Sequence, residues 1–517
     1  MKCKKIIAAL SALTLLTGGM TGFPAVAAAK GSGDIDENGA VQIADAILLA
    51  RWIAEDDDIT VTTQGLANAD MNGDDAVNPD DAAELLCTLA GTNPVQPSES
   101  RSLDLLYGIE AGNPVKLDPA DAAFRAAQTK FSVDLLRQLQ ADEEDKDRNL
   151  LVSPVSVSLA LGMTVNGAKG DTLDEMQKVL GDTLNAGQLN GYYAGWSERL
   201  LSEQEVNYYG MDGNGNYGRQ TALSAPITLA NAVWIKDLEK QIHVPEQFLQ
   251  TVADYYQAGA YMAPFDESTV KDINSWCDEH THHMIPEVIQ RLNPLDVMVL
   301  ANALTFEDVW NDPYLEYQVR DDVFHAANGE ARETEMMYGS ENSYISDGKA
   351  TGFLKPYRDS RYCFAAVLPN EDISLDEYIA GLDGESLAAL LDSRESCEVT
   401  TAMPKFSFDY SVSMKKALAA LGMPTAFVPG TADFTGLNDA AGIDTWIGDV
   451  IHKTHIEVNE SGTKAAAVTV VMMMGGGACP DEPKVVTLDR PFLFMILDRQ
   501  TNLPIFIGTV KDTSAEK

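Results

Sequence analysis

The stretch Glu460-Ser461-Gly462-Thr463-Lys464-Ala465-Ala466-Ala467-Val468-Thr469 is made largely of small side chains. A β-strand presents alternate residues to opposite faces. As a strand, this stretch puts Thr463, Ala465, Ala467 and Thr469 on one face, all of them small, and Lys464 on the other, where it reaches solvent. Such a segment can slip between two existing strands, because nothing on its inner face is bulky. A run of small residues suits a mobile loop or a helix equally well. Beyond it, Val470-Val471-Met472-Met473-Met474-Gly475-Gly476-Gly477-Ala478-Cys479 is apolar, then glycine-rich, with no Lys, Arg or Asp.

Working outward, residues 105–514 contain no second linker, which implies one large domain around this stretch. Helical patterns run over 120–140, 154–166 and 171–180, and strand-like apolar runs over 227–235, 297–304, 363–368 and 492–497. Helices first, then strands with helices between, predict an α+β domain. Enzyme chemistry is not expected, because H-E-x-x-H, G-x-S-x-G and phosphate-loop motifs are all missing from the sequence. His280 and His283 have the i, i+3 spacing of a helical metal pair and His282 lies between them, but no acidic motif accompanies them, which favours a solvated helix end. Residues 212–218 (DGNGNYG) mimic a calcium loop but put Leu223 at its twelfth position, which favours a flexible surface loop.

E-x-G-T-x-A-A-A, at Glu460–Ala467, resembles the hinge of the reactive-centre loop of a serpin. Further matches stand in order along the chain: Ser153, Pro154 and Ser156; Asn302-Ala303-Leu304-Thr305-Phe306 with Trp310; Pro404-Lys405-Phe406; Leu421-Gly422-Met423; Ala432-Asp433-Phe434; His452-Lys453; Asp489-Arg490-Pro491-Phe492; and Phe506-Ile507-Gly508. Glu307 departs from the family's usual Lys, residues 182–225 are expanded, and the segment from Glu460 to Pro491 is a few residues long. The resemblance implies a serpin fold: a central five-stranded sheet, surrounding helices and an exposed reactive-centre loop.

It also implies an inhibitor of serine proteases rather than an enzyme. A protease cuts the loop, is caught as its acyl intermediate, and is carried off as the loop inserts into the sheet. The hinge is then Glu460, Gly462, Thr463, Ala465, Ala466, Ala467 and Thr469. Ser153, Ser156, Asn302 and His452 form the polar shutter beneath the sheet, and Trp310 packs near the point of entry or simply in the core. At the family's usual loop length the scissile bond falls between Gly476 and Gly477, and a competing register puts it between Met474 and Gly475. Its apolar side chains point to subtilisin-like or elastase-like proteases. A serpin scaffold that inhibits nothing is the alternative, and the β-prone run 468–474 adds a third possibility, self-polymerisation by strand addition.

The start of the chain reads as an address. Lys2, Lys4 and Lys5 precede an apolar run from Ile6 to Leu16, and Ala25 and Ala27–Ala29 offer small residues for cleavage, so residues 1–29 are expected to be a secretory signal peptide. Removal of that leader leaves five cysteines, Cys87, Cys277, Cys363, Cys397 and Cys479, an odd and scattered set expected to be mostly unpaired. No later run is long and apolar enough to span a membrane. The formal charge of −41 argues against nucleic-acid and anionic-lipid partners.

Residues 33–91 carry one pattern twice, first with Asp34, Asp36, Asn38, Ala40, Gln42 and Asp45, then with Asp70, Asn72, Asp74, Ala76, Asn78 and Asp81. Oxygen side chains at loop positions 1, 3, 5, 9 and 12, with a backbone carbonyl at 7, are the spacing by which a twelve-residue loop wraps Ca²⁺. Each loop is followed by a helical pattern, with Ala46, Ile47, Leu49 and Ile53 as the apolar face of the first and Leu85, Leu86 and Leu89 of the second. With Asp at position 12, the pair resembles a dockerin, a small all-α module. That resemblance implies two Ca²⁺, a cohesin partner and a place on a cellulosome, where polysaccharide is degraded. Residues 92–104 are polar and Pro-containing and read as a linker, leaving 105–514 as the serpin domain of a secreted, extracellular and monomeric protein.

Overall fold

The computed structural model describes residues 26–27, 35–36, 40–41, 43–53, 59, 61–69, 71, 77, 81–82, 85, 102–142, 148–211, 217–238, 242–281, 283–293, 295–440, 442–463 and 484–514. The chain divides into two units, Met1–Glu99 and Ser100–Lys517.

In the first unit, β1 (Val26–Ala27) pairs antiparallel with β2 (Ala40–Val41). Helix α1 (Ile43–Ile53) and α2 (Thr63–Ala69) follow. Ile35, Val41, Ala46, Leu49, Ala69 and Leu85 form a small core. Ile47, expected on the apolar face of α1, is instead exposed. It lies one residue past Ala46, about 100° further round the helix, which carries it off the buried stripe.

The second unit begins with β3 (Leu103–Asp104), whose residues read from sequence as linker; they pair with Met262 and Tyr261 at a sheet edge. The chain continues through α3 (Ala122–Gln140), β4 (Leu150–Val152), α4 (Pro154–Val165), α5 (Gly170–Gly181) and α6 (Ala186–Leu201). Asp121 caps α3 through Ala123 N–H and Phe124 N–H, and Ser153 caps α4, which starts with Pro154. Helix α4 is buried on every side, so it forms part of the interior rather than a surface layer. Residues 115–117 lie against α6 because Gly191 and Gly195 share its face; a Cβ at Gly195 would stand 2.1 Å from the Leu117 carbonyl oxygen.

Next come β5 (Gln204–Met211), β6 (Tyr217–Ser224), β7 (Ile227–Lys236), α7 (Glu246–Tyr256), β8 (Gly259–Ala263), α8 (Glu267–His280), β9 (Met298–Phe306) and β10 (Asp308–Val309). They are followed by β11 (Val319–His325), β12 (Ala331–Glu341), β13 (Tyr344–Ser346), β14 (Ala350–Pro356), β15 (Tyr362–Pro369), α9 (Leu375–Ala380) and α10 (Gly384–Asp392). The last elements are β16 (Val399–Pro404), β17 (Phe406–Ser413), α11 (Lys415–Leu421), β18 (Ile447–Val458), β19 (Gly462–Thr463), β20 (Lys484–Thr487), β21 (Phe492–Asp498) and β22 (Leu503–Val510). The helical and strand runs read from sequence in the second unit fall on these elements, with ends shifted by a residue or two, whereas Leu86 and Leu89 of the pattern after the second loop lie outside the described residues.

Among the described residues of the second unit the strands form three large sheets and a separate β5–β6 ribbon. One sheet runs β3-β8-β7-β9-β18-β17, with β19 and β10 at one end. A second runs β11-β12-β16-β20, and a third β13-β14-β15-β21-β22-β4. All nine residues of β9 and all of β15, β21 and β22 are buried, which is why they read as unbroken apolar runs rather than alternating ones. No helix among the described residues is long and apolar enough to cross a membrane.

Candidate functional site

The central feature of the first large sheet is the junction of β9 and β18. They pair in parallel from Met298↔Ile447 to Asn302↔His452, with a register shift between Ile447 and Asp449. Beyond Asn302↔His452 the two strands continue to Phe306 and Val458 without pairing with each other. The sheet is therefore zipped in one half and split in the other.

At the mouth of the split the chain turns back. Asn459 Oδ1 accepts the N–H groups of Ser461 (2.9 Å) and Gly462 (3.3 Å), so an Asn side chain organises the turn. Gly462 and Thr463 then run antiparallel to both neighbours: Gly462 faces Val309, and Thr463 faces Asp308 and Val458. Residue 462 must be glycine because a Cβ there would stand 2.2 Å from the Asp308 carbonyl oxygen. Thr463 is buried and its Oγ1 lies 2.5 Å from the Tyr357 hydroxyl. Of the hinge residues read from sequence, Glu460, Gly462 and Thr463 are gathered here. Ala465, Ala466, Ala467 and Thr469, with Met474, Gly475, Gly476 and Gly477, lie outside the described residues.

Trp310 is a scaffold for this turn as well as a core residue. Its backbone N–H donates to the Ser461 carbonyl and its indole Nε1–H to the Asn459 carbonyl, both at 2.9 Å, and its ring stacks on Tyr357 at 4.6 Å. Tyr314 N–H holds the Glu460 carbonyl at 2.9 Å. The Glu460 carboxylate meets Lys405 at 2.8 Å, which holds it below the usual carboxylate range. Beneath Trp310 and Tyr314, Lys355 and Glu341 form a buried ion pair at 2.8 Å, with the ammonium 4.3 Å from the centre of the Tyr314 ring. Burial pushes the Asp308 carboxyl up to about 7 despite N–H bonds from Val309 and Asp359.

The four residues read as the shutter meet at the last closed rung. Ser153 N–H donates to His452 Nε2 at 3.1 Å, Ser153 Oγ caps Ser156 N–H at 3.3 Å, and Asn302 Nδ2 donates to the Ser156 carbonyl at 3.0 Å. Asn302 also donates to Asn231 Oδ1 from the neighbouring strand. Burial pushes the His452 pKa down to about 3, so the ring is neutral. With Nε2 accepting, Nδ1 carries the proton. His452 Nδ1, Asn302 Oδ1 and Ser156 Oγ are all buried with no hydrogen-bond partner. Each such group costs about 1–3 kcal/mol.

Sequence reading missed Asn231, Tyr357 and Asp308. Asn231 carried a signal, a lone amide inside the apolar strand 227–236. Tyr357 and Asp308 had none, because their roles depend on which elements the fold brings together.

In the first unit, the position-twelve carboxylates close their loops. Asp45 Oδ1 accepts the N–H groups of Ile35 (2.7 Å) and Asp36 (3.1 Å), and Asp81 Oδ1 that of Met71 (2.8 Å). Both carboxylates are buried. Buried carboxylates in loops rich in oxygen donors fit a hard divalent cation. Asp34, Asn38, Gln42, Asp70, Asn72, Asp74, Ala76 and Asn78 lie outside the described residues. His280 stacks on Trp276 and bonds its carbonyl, and His283 pairs with Asp278 at the exposed helix end; His282 is outside the described residues. Cys277 and Cys363 are unpaired, with burial pushing both thiols up to about 12, and Cys397 is half-buried. Cys87 and Cys479 lie outside the described residues.

A family model described as serpin (serine protease inhibitor) matches residues 126–513, and one described as dockerin type I domain matches residues 32–89. The leukocyte elastase inhibitor of Xenopus tropicalis is 28% identical over 395 residues, covering 74% of this chain and 97% of that protein. The thermophilic serpin tengpin in its native state superposes with a TM-score of 0.71 at 37% identity, covering 80% of this chain and 100% of that one. The same protein in its latent state gives 0.63 over 76% of this chain and 99% of that one. The native form is the better match. The chain belongs to the serpin family of serine protease inhibitors and carries a dockerin type I domain, a calcium-binding and cellulosome-anchoring module, ahead of its serpin domain.

Proposed function

We propose that the protein is a secreted suicide-substrate inhibitor of subtilisin-like or elastase-like serine proteases, tethered to a cellulosome by a dockerin holding two Ca²⁺ and a cohesin partner. The observation that carries the inhibitory part is the hinge: Gly462 and Thr463 already stand as the first rungs of a strand between β10 and β18, at the mouth of a split that ends at Asn302↔His452.

In this reading a protease serine attacks the Gly476 carbonyl, the Gly477 amine leaves, and an acyl ester joins Gly476 to the protease. The strand then lengthens from Thr463 through Ala465, Ala467 and Thr469 into the split. Opening the rung at Asn302↔His452 brings a backbone rich in donors and acceptors beside the unpartnered atoms of the shutter. Relief of their burial cost adds to the new strand pairing as a driving force. The apolar loop suits proteases with apolar binding pockets, in keeping with the name of the Xenopus relative.

Incubation with subtilisin and with a pancreatic-type elastase tests the reading. The expected result is an SDS-resistant covalent complex with release of a peptide beginning at Gly477. A peptide beginning at Gly475 would move the scissile bond to Met474–Gly475. Clean cleavage of the loop without a complex would instead support a serpin scaffold that inhibits nothing.

A further inference from the structure

The ribbon β5–β6 lies within residues 182–225, the stretch read from the sequence as expanded. Among the described residues it pairs with no other sheet, and a two-stranded ribbon alone is marginally stable in water. What anchors it is a short turn, residues 357–361. The Arg361 guanidinium bonds the Ser202 carbonyl (2.9 Å) and Ser202 Oγ (2.8 Å) at the start of the ribbon and reaches the Ser224 carbonyl (3.5 Å) at its end. Arg361 is itself fixed by a bidentate contact with Asp359. The Arg358 guanidinium lies 4.2 Å from the centre of the Tyr208 ring, midway along β5. No carboxylate among the described residues forms a salt bridge with Arg358.

The same turn holds the mouth of the split. Arg358 N–H donates to the Val309 carbonyl (2.8 Å), Asp359 N–H to Asp308 Oδ2 (3.0 Å), and Tyr357 both stacks on Trp310 and meets Thr463 Oγ1. Val309 and Asp308 are the residues on which Gly462 and Thr463 pair. One turn thus grips the ribbon with two arginine side chains and the hinge mouth with its backbone and a tyrosine.

We infer that the β5–β6 ribbon is a brace for hinge entry and that Arg358, stacked on Tyr208, is its positioning residue. The brace keeps β10 in register with Gly462 and Thr463, so that insertion outruns hydrolysis of the acyl ester. This rests on the loop-insertion reading above. A guanidinium has the flat face that stacks on an aromatic ring, so neither Lys at 358 nor an aliphatic residue at 208 replaces the pair.

The test compares Arg358→Ala, Tyr208→Leu, Tyr208→Phe and the Arg358→Ala/Tyr208→Leu double variant as full-length proteins. Two readouts are used: moles of inhibitor consumed per mole of protease trapped, and the rate at which a synthetic peptide of residues 463–474 anneals into the uncleaved protein. Loss of one cation–π contact predicts a change of about three- to ten-fold in both readouts for Arg358→Ala and Tyr208→Leu. The first cut of the loop should keep its rate. Tyr208→Phe should behave as wild type, and the double variant should be no worse than either single one. Altered thermal stability with an unchanged partition would show a merely structural contact and overturn the proposal, as would Tyr208→Phe failing alongside Tyr208→Leu. If the wild type itself neither traps protease nor anneals peptide, the loop-insertion reading falls and this proposal with it.

Discussion

Ser156 sits fully buried with an unpartnered hydroxyl at the rung that opens in the proposed insertion. Its backbone N–H is what Ser153 caps, so Ser156→Ala leaves that bond intact and removes the orphaned hydroxyl. The variant should stabilise the uncleaved state by about 1–3 kcal/mol, seen as a higher urea midpoint, and should slow insertion. A lower midpoint would mean the hydroxyl is satisfied in solution. His452 makes a pH-dependent contribution. Its folded pKa lies near 3, below the ordinary 6.5, so between those values the unfolded chain binds a proton that the folded one refuses. Stability due to this residue therefore rises with pH from about 3 to 6.5, at up to about 1.4 kcal/mol per pH unit, and is flat above. The difference in urea-unfolding free energy between wild type and His452→Asn should follow that curve. Asp308, pushed up to about 7, has the opposite slope: its contribution is fully present below about 3.8 and is lost as the pH climbs to about 7. Wild type minus Asp308→Asn should show it.

At the scale of elements, the hinge strand is constrained by the space it enters. Thr463 is buried between β10 and β18 with its hydroxyl against Tyr357. Thr463→Arg would force a charged side chain into that site or out of the sheet. Trapping of protease should fall by more than about ten-fold while cleavage of the loop continues, because burying an unpaired guanidinium costs several kcal/mol. Unchanged complex yield on SDS gels would show that Thr463 need not enter. Much of this was legible beforehand. Gly462 and Thr463 of the small-residue stretch stand in a strand, and the strands 227–236, 298–306 and 492–498 read as largely apolar runs. What escaped the sequence was partnership across distance. The ribbon of residues 204–224 has no strong alternation, since one of its faces is only half-buried. Lys405 stood in a quoted motif, yet nothing local says that it meets Glu460. Ile47 shows the limit within one helix, where composition named it apolar and helical phase placed it outside.

At the scale of the molecule, the two units depend on different forces. The serpin domain has an extensive core in which α4, β9, β15, β21 and β22 are wholly buried. Among its described residues the first unit buries six apolar residues, two of them alanines, together with the carboxylates of Asp45 and Asp81. A unit this short buries too little to offset the ordering of its chain, and two buried acids in loops crowded with further acids repel one another unless a cation sits among them. Chelation should therefore unfold one unit and spare the other. In the full-length protein, hydrogen exchange read by mass spectrometry should show residues 43–53 and 63–69 losing protection in excess EDTA, with recovery on adding Ca²⁺ but not Mg²⁺, whose tight octahedral shell a seven-oxygen loop does not fit. Residues 298–306 and 492–510 should exchange alike in both conditions. Asp45→Asn should reproduce the loss for residues 43–53 at Ca²⁺ concentrations that saturate the wild type. Full protection of 43–53 in EDTA would mean that the small core suffices and that calcium serves only the contact with cohesin.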